Sequence, residues 1–241
     1  MEENEDVNEL LLNKAPDNSD NEKIEESIRA SFIAKVYSIL LFQLIITSFF
    51  VILSLYSPLY REILQNSVFL YYFFLIIPFV CLIIMLCNPN LLRKVPLNYF
   101  ILIVFTIGIS YIVSYITSFY TPGSVLFSLI LTFVMVITLI LYAKYTKRDF
   151  TIYGGVLFVF LTCIIFGSFF LLFFNISVFE FIITICTIIC FSGYIIYDTQ
   201  LILGKRSKEF SIDDYILAAL NLYLDIVNLF IEILSLFGER N

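Results

Sequence analysis

Seven long apolar segments, each close to the length that crosses a lipid bilayer, occupy most of this 241-residue chain. A transmembrane helix needs about 20 consecutive, mainly apolar residues. The segments cover approximately residues 34–56, 68–87, 97–119, 124–143, 151–174, 178–203 and 215–237. Helix-breaking residues such as Pro58, Pro89 and the Pro122-Gly123 pair separate them. The pattern predicts an all-α membrane protein with seven transmembrane helices.

The composition supports this class and excludes several others. Hydrophobic residues make up 61% of the chain and charged residues 14%. A soluble domain has roughly 45–50% hydrophobic residues and about 25% charged residues. The chain contains no histidine, which removes histidine metal sites, Ser-His-Asp or Cys-His catalysis and histidine pH sensing. No cofactor motif is present, since Gly154-Gly155 lacks a surrounding phosphate-loop pattern. We therefore expect no cofactor.

Acidic residues are concentrated at the N-terminus. Ten acids and two lysines fall within residues 1–28, so the rest of the chain carries a small net positive charge. Residues 1–27 lack the basic and apolar regions of a signal peptide. We interpret residues 1–27 as a disordered cytosolic tail and residues 28–241 as the transmembrane domain. The chain is too weakly basic to predict a nucleic-acid partner.

The flanking charges predict the orientation of the segments. Of the 14 Lys and Arg residues, all but Arg61 and Arg240 lie in the N-terminal region or the second, fourth and sixth connectors. Positive charge is retained on the cytosolic side of membranes. The N-terminus is thus predicted to be cytosolic and the C-terminus to lie on the opposite side. A re-entrant last helix would instead return the C-terminus to the cytosol.

Two aspartates interrupt the last two apolar segments. An ionisable residue at the centre of a membrane helix costs at least about 2.5–3.5 kcal/mol, so Asp198 and Asp225 are candidate functional residues. Asn221, Asn228 and Glu232 are spaced from Asp225 by three, four or seven residues, which places them on one helix face. We predict that these three residues line a pathway.

Asp198 and Asp225 are candidates for one paired site. If both helices are straight, the depths of the two carboxyl groups differ by roughly 7 Å. A tilt, or a break near Gly193 or Gly204, would bring them together. Adjacent carboxylates share a proton and titrate as a unit, so the pair is the expected pH switch. Carboxylate oxygens also suit hard cations, which makes transient Ca²⁺ binding at the pair a further hypothesis.

At these residues the sequence resembles the transmembrane Bax inhibitor motif family, and specifically its lifeguard branch. The similarity covers most of residues 28–238 and includes YDTQLILG (197–204) and DYILAALNLYLDIVNLF (214–230). Further matching pieces are IRASFIAKVYSILLFQLIIT (28–47), VPLNYFILIVFT (95–106), RDFT (148–151) and GGVLF (154–158).

The resemblance implies six helices around a central, C-terminal seventh helix. It also implies a pH-sensitive Ca²⁺ leak that regulates intracellular calcium and cell death, with Asp198 and Asp225 as its di-aspartyl sensor. The expected location is the endoplasmic reticulum or Golgi membrane, with the plasma membrane as the alternative. Relatives often carry a glutamate after the Phe105-Thr106 pair, where this chain has isoleucine and glycine. Arg93 is the candidate for a basic latch that contacts the aspartates.

Two other functions remain open at this stage. The chain could be a membrane scaffold that inhibits apoptosis through membrane-protein partners, without conducting ions. An intramembrane aspartyl protease also uses two aspartates, but Asp225 follows Tyr223-Leu224 rather than the GxG of such enzymes, and a PAL motif is absent. We therefore expect no enzymatic activity.

Overall fold

The structure, a computed structural model, describes residues 18–174, 176–204 and 206–240. Within these ranges the chain forms eight α-helices and three short 3-10 helices. The α-helices are α1 (Asn18–Tyr56), α2 (Pro58–Asn66), α3 (Val68–Cys87), α4 (Leu97–Thr117), α5 (Pro122–Tyr145), α6 (Gly154–Leu171), α7 (Ser177–Leu203) and α8 (Tyr215–Phe237). The 3-10 helices are Pro89–Arg93, Thr151–Tyr153 and Ile212–Asp214. Every α-helix except α2 is long and apolar enough to cross a membrane, which confirms the predicted fold class.

Helix α1 begins earlier than the sequence predicts. Residues 18–27, which we had assigned to a disordered tail, form its first turns. Acidic side chains favour the N-terminal end of a helix because they interact with its dipole, and this stretch is acidic. The remaining part of the predicted tail, residues 1–17, lies outside the described residues.

Helix α2 was not predicted, because Pro58 was interpreted only as a breaker. Proline is well suited to the first position of a helix, since its missing N–H would have no partner there. The Ser57 hydroxyl caps α2 by accepting a hydrogen bond from the backbone N–H of Tyr60 (3.4 Å). Gln65 donates to the Ser118 carbonyl (3.0 Å), which fastens α2 to the end of α4.

Helix α8 forms the centre of the bundle. In the most apolar 18-residue stretch of α8, 61% of the residues are buried, compared with 6% in the corresponding stretch of α6 at the periphery. Helices α1, α4, α5 and α7 pack directly against α8, whereas α3 packs against α4 and α6 against α7. The prediction of a central seventh span is therefore confirmed, and two of the six surrounding spans complete the bundle from outside.

Helix α8 crosses the bundle from end to end. It is unbroken over 23 residues, a length of roughly 35 Å, which exceeds the hydrocarbon thickness of a bilayer. Beyond its end, Glu239 accepts a hydrogen bond from the Thr121 N–H (3.0 Å) and donates one to Ser124 (2.9 Å). The C-terminal end of α8 thus lies against the connector between α4 and α5, and α8 is not re-entrant.

Candidate functional site: a buried carboxyl pair

Asp198 and Asp225 meet at the contact between α7 and α8. Their exposed fractions are only 2% and 6%, and their carboxyl groups lie close enough to interact directly with each other. Two buried carboxylates in contact repel each other, so such a pair favours sharing one proton. The predicted pairing of Asp198 with Asp225 is therefore present in the structure.

The two carboxyl groups meet without a break in α7, which runs continuously through Gly193. The helix ends at Leu203, and Gly204 follows with a φ of 71°. The connector then folds back, so that the Phe210 N–H donates to the Leu201 carbonyl (3.1 Å). Of the two predicted break points, only Gly204 interrupts the helix, and it does so at its end.

Arg29 of α1 fastens this connector. Its guanidinium donates to the carbonyl oxygens of Leu201 (2.6 Å) and Phe210 (2.8 Å). It also lies 3.7 Å from the Glu209 carboxylate. The charge of Arg29 is thus used at the end of α7, one turn beyond Asp198, and joins α1 to α7 and to the connector that leads to α8.

The surroundings of the pair are neutral. Cys190, Tyr194 and Tyr197, all on α7, are the titratable groups whose electrostatic interactions reach Asp198 or Asp225. Within the described residues neither aspartate forms an ion pair with Lys or Arg. Two basic residues of α1 lie near this end and make other contacts. Arg29 binds the connector, and the Lys35 ammonium lies over the Tyr215 ring, 3.3 Å from its centroid. Helices α4, α5 and α6 contribute no described charge that acts on the pair.

One oxygen of each carboxyl group has no hydrogen-bond partner. These atoms are Asp198 Oδ1 and Asp225 Oδ2, both fully buried. Buried polar atoms are normally satisfied, so an exception calls for an explanation. Because both oxygens are fully buried, a hard cation or a water molecule could reach their lone pairs only after α7 and α8 move apart.

The described residues contain no cluster of three or more His, Cys, Asp or Glu side chains that could hold a metal ion. Ca²⁺ prefers six to eight oxygen ligands. The carboxyl pair alone therefore suits a cation in transit better than a permanently bound one, and cation binding at Asp198 and Asp225 stays a prediction.

The other residues of the predicted polar stripe are only partly buried. Asn228 donates to the Leu224 carbonyl of its own helix (2.8 Å), and the Glu232 carboxyl group lies close to the Thr184 side chain of α7. Asn221 is also half-buried. The stripe therefore faces α7 at two levels, through Asp225 and through Glu232. The assignment of a pathway-lining role stays a prediction for Asn221, Asn228 and Glu232.

Arg93 does not contact the carboxyl pair. Its guanidinium donates two hydrogen bonds to Asp214, at 2.9 and 3.1 Å, at the start of α8. The latch assigned to Arg93 on Asp198 and Asp225 is therefore wrong in this structure. The guanidinium fork matches the two oxygens of a carboxylate, and Asp214 is the more accessible partner. Arg93 anchors the first turn of α8 instead.

A ladder of hydrogen bonds between α1 and α4 was not predicted. Its rungs are Gln43 to Thr106 (3.0 Å), Thr47 to Ser110 (3.0 Å) and Ser54 to Thr117 (3.0 Å). Every rung joins residues 63 positions apart, as expected for two parallel helices in one fixed register. The sequence does contain a signal for it: both helices carry polar residues at the same successive spacings of four and seven. Tyr223 of α8 also joins the ladder by a hydrogen bond to Thr47 (2.8 Å).

The geometry defines a class: a multi-pass membrane protein whose central helix carries half of a buried carboxyl pair. Comparison with known proteins identifies the family within that class. The family model described as "Inhibitor of apoptosis-promoting Bax1" matches residues 29–241. The chain belongs to this Bax inhibitor and lifeguard family.

Individual relatives agree with this assignment. The chain is 32% identical to human Protein lifeguard 3 over 221 residues, which is 90% of this chain and 71% of the relative. It is 30% identical to mouse Protein lifeguard 3, over 90% of this chain and 72% of the relative. Mouse Protein lifeguard 4 is 33% identical over 207 residues, 83% of this chain and 81% of the relative.

Proposed function

We propose that this protein is a pH-sensitive Ca²⁺ leak of an intracellular membrane, that Asp198 and Asp225 gate it, and that it regulates calcium and cell death. The observation that carries the proposal is the pair of interacting carboxyl groups buried between α7 and α8. Membership of a family described as an inhibitor of an apoptosis-promoting protein supports the cellular role. The distribution of Lys and Arg supports a cytosolic N-terminus, and the endoplasmic reticulum or Golgi is the proposed location.

The shared proton holds α7 against α8 in the closed arrangement. Loss of that proton leaves two interacting negative charges in a site of low dielectric constant, where like charges repel strongly. No neighbouring Lys or Arg within the described residues compensates them. Deprotonation therefore favours a state in which the two helices separate at this level.

The separated carboxylates attract Ca²⁺, because the cation is hard and both groups have oxygen atoms free to bind it. Beyond the pair, Asn228 and Glu232 continue the polar face of α8 toward its C-terminal end. Glu232 already contacts Thr184 on α7. Separation of α7 from α8 would thus expose a line of oxygen atoms along one face of the central helix, and flux is expected to rise with pH.

The test is a pH titration of Ca²⁺ efflux from proteoliposomes. The Asp198→Asn and Asp225→Asn variants keep the shape of each side chain but remove its charge change. Both are expected to lose most of the pH dependence of efflux. Glu180→Gln is the matched control, because Glu180 is an exposed acid at the far end of α7. Equal pH profiles for wild type and both Asn variants would remove the pair from the mechanism.

A second candidate is a non-conducting scaffold that restrains apoptosis through membrane-protein partners. The family is described as an inhibitor of an apoptosis-promoting protein, and this protein target favours the scaffold. Deletion of residues 1–17 leaves the described helices intact and separates the two functions. Loss of the cellular effect with normal ion efflux would support the scaffold, whereas parallel loss of both would support the leak. We assign no enzymatic activity to either function.

A further inference from the structure

A deep apolar groove opens on the side of the bundle between α1 and α5. Its volume is about 710 Å³, within the range of about 300–1,000 Å³ that is typical of small-molecule sites. Residues 41–52 of α1 and 129–136 of α5 form its walls, and Ile226, Val227 and Phe230 of α8 form its floor together with Val113 of α4. The groove therefore reaches down to the central helix, whose floor residues Ile226, Val227 and Phe230 are only 5–8% exposed.

The chemistry of the lining excludes a polar or charged ligand. No charged residue lines the groove, and its only polar side chains are Thr47, Ser48 and Thr132. The Thr47 hydroxyl is already bonded to Gln43, Ser110 and Tyr223. The Thr132 hydroxyl donates to the Ser128 carbonyl (2.7 Å). An occupant would find a mainly apolar surface, in which the hydroxyls of Thr47 and Thr132 are satisfied within the protein.

The position of the groove identifies the occupant. Its walls lie in the middle of two membrane-spanning helices, at a depth that lipid headgroups do not reach. The rims are lined by apolar side chains that face the hydrocarbon: Ile45 and Phe49 on α1, and Ile130 and Phe133 on α5, are 56–66% exposed. The groove is thus continuous with the hydrocarbon and closed to headgroups.

We infer that the groove between α1 and α5 binds an acyl chain of a membrane lipid, which enters sideways from the bilayer and contacts α8. Burial of methylene groups against the groove is favourable through close contacts that a disordered neighbouring lipid makes less completely. The acyl chain would touch Ile226, the residue next to Asp225. The acyl-chain site therefore borders the carboxyl pair without containing it. This inference concerns binding and does not depend on ion conduction.

The absence of tryptophan gives a direct test. Each single-tryptophan variant is reconstituted in phosphatidylcholine with brominated acyl chains, which quench tryptophan fluorescence on contact. Phe230→Trp reports on the groove, Phe158→Trp on a lipid-facing site of α6, and Phe105→Trp on the protein interior, since Phe158 is 65% exposed and Phe105 fully buried. We expect Phe230→Trp to be quenched several-fold more than Phe105→Trp, and nearly as much as Phe158→Trp.

A blocking substitution distinguishes the groove from general lipid exposure. Thr132→Phe fills it, and Thr162→Phe is the matched control, because both hydroxyls donate to the carbonyl four residues earlier and only Thr132 lines the groove. Thr132→Phe should reduce the quenching of the Phe230→Trp reporter several-fold, and Thr162→Phe should not. Quenching of Phe230→Trp no greater than that of Phe105→Trp would overturn the inference.

Photolabelling of the unmodified chain avoids reliance on any substitution. A phosphatidylcholine with a diazirine in its acyl chain should label residues 226–230 of α8, in addition to exposed positions. Labelling confined to exposed helices would contradict the site. If residues 226–230 are not labelled even at low protein-to-lipid ratio, where copies of the chain are well separated, the acyl-chain assignment is overturned.

Discussion

The hydroxyl groups of Thr47 on α1 and Tyr223 on α8 lie 2.8 Å apart, two residues before Asp225 in the central helix. Tyr223 is completely buried, and Thr47 is 7% exposed. This hydrogen bond connects the α1–α4 ladder to the helix that carries half of the carboxyl pair. It therefore fixes α8 relative to α1 close to the level of the site.

Tyr223→Phe should lower the free energy of unfolding by about 0.5–1 kcal/mol, the usual contribution of one hydrogen bond inside a membrane protein. Thr47 keeps its bonds to Gln43 and Ser110, so no buried donor loses its acceptor. Unfolding in mixed micelles with increasing denaturing detergent measures the change. Tyr142→Phe, at a 45% exposed residue, is the control. Equal unfolding midpoints for the two variants would contradict the prediction.

Arg93→Gln should leave the pH midpoint of Ca²⁺ efflux unchanged. The hydrogen bonds and charge of Asp214 raise the pKa of Arg93 above its ordinary value. A raised pKa gives stabilisation that is present below the ordinary pKa and is lost only at still higher pH, so Arg93 stays charged throughout the efflux titration. The efflux titration that tests the aspartates also tests this variant. A shift of the midpoint comparable to that in Asp198→Asn would restore Arg93 as a latch on the pair.

A contact can be predicted from the sequence when the residues that cause it lie in one short stretch of the chain. The seven spans follow from the length of each apolar run, and the face shared by Asp225 and Glu232 follows from helical spacing alone. The Arg93–Asp214 ion pair joins residues 121 positions apart, and nothing in either neighbourhood specifies the other. The contact depends on how the connectors fold, which many weak interactions decide together. The sequence therefore predicted the carboxyl pair better than the partner of Arg93.

Asp149→Asn should destabilise the fold at neutral pH but not in acid. Hydrogen bonds from Ser207 and Thr151 hold the pKa of Asp149 well below its usual range. A depressed pKa stabilises the folded state above the unfolded pKa of about 4, and this stabilisation is lost as the pH falls below that value. The difference in melting temperature between wild type and variant should thus shrink below about pH 4.

Asp213→Asn provides the control for this measurement, because Asp213 is an exposed acid in the α7–α8 connector. Its melting temperature should differ little from that of wild type at any pH. A constant difference between Asp149→Asn and wild type from neutral to acidic pH would show that the hydrogen bonds to Ser207 and Thr151 do not depend on the charge of Asp149.

Gly204→Ala should lower the free energy of unfolding by about 1–3 kcal/mol, because its φ of 71° and ψ of −164° belong to a region that only glycine occupies readily. A Cβ there would also lie 2.5 Å from Oε2 of Glu209 and 2.8 Å from Nε of Arg29, the side chain that fastens the connector. Gly155→Ala is the matched control, since a Cβ at Gly155 meets nothing within 4 Å.

Combining Gly204→Ala with Arg29→Ala separates the two causes. If the clash with Arg29 dominates, Gly204→Ala should cost less in the Arg29→Ala background than in wild type. If backbone strain dominates, the cost should be the same in both. Because the connector joins α7 to α8 directly beyond the carboxyl pair, we expect Gly204→Ala also to shift the pH profile of Ca²⁺ efflux, whereas Gly155→Ala should not. An unchanged unfolding midpoint and pH profile in Gly204→Ala would show that the folded connector is not needed to align Asp198 with Asp225.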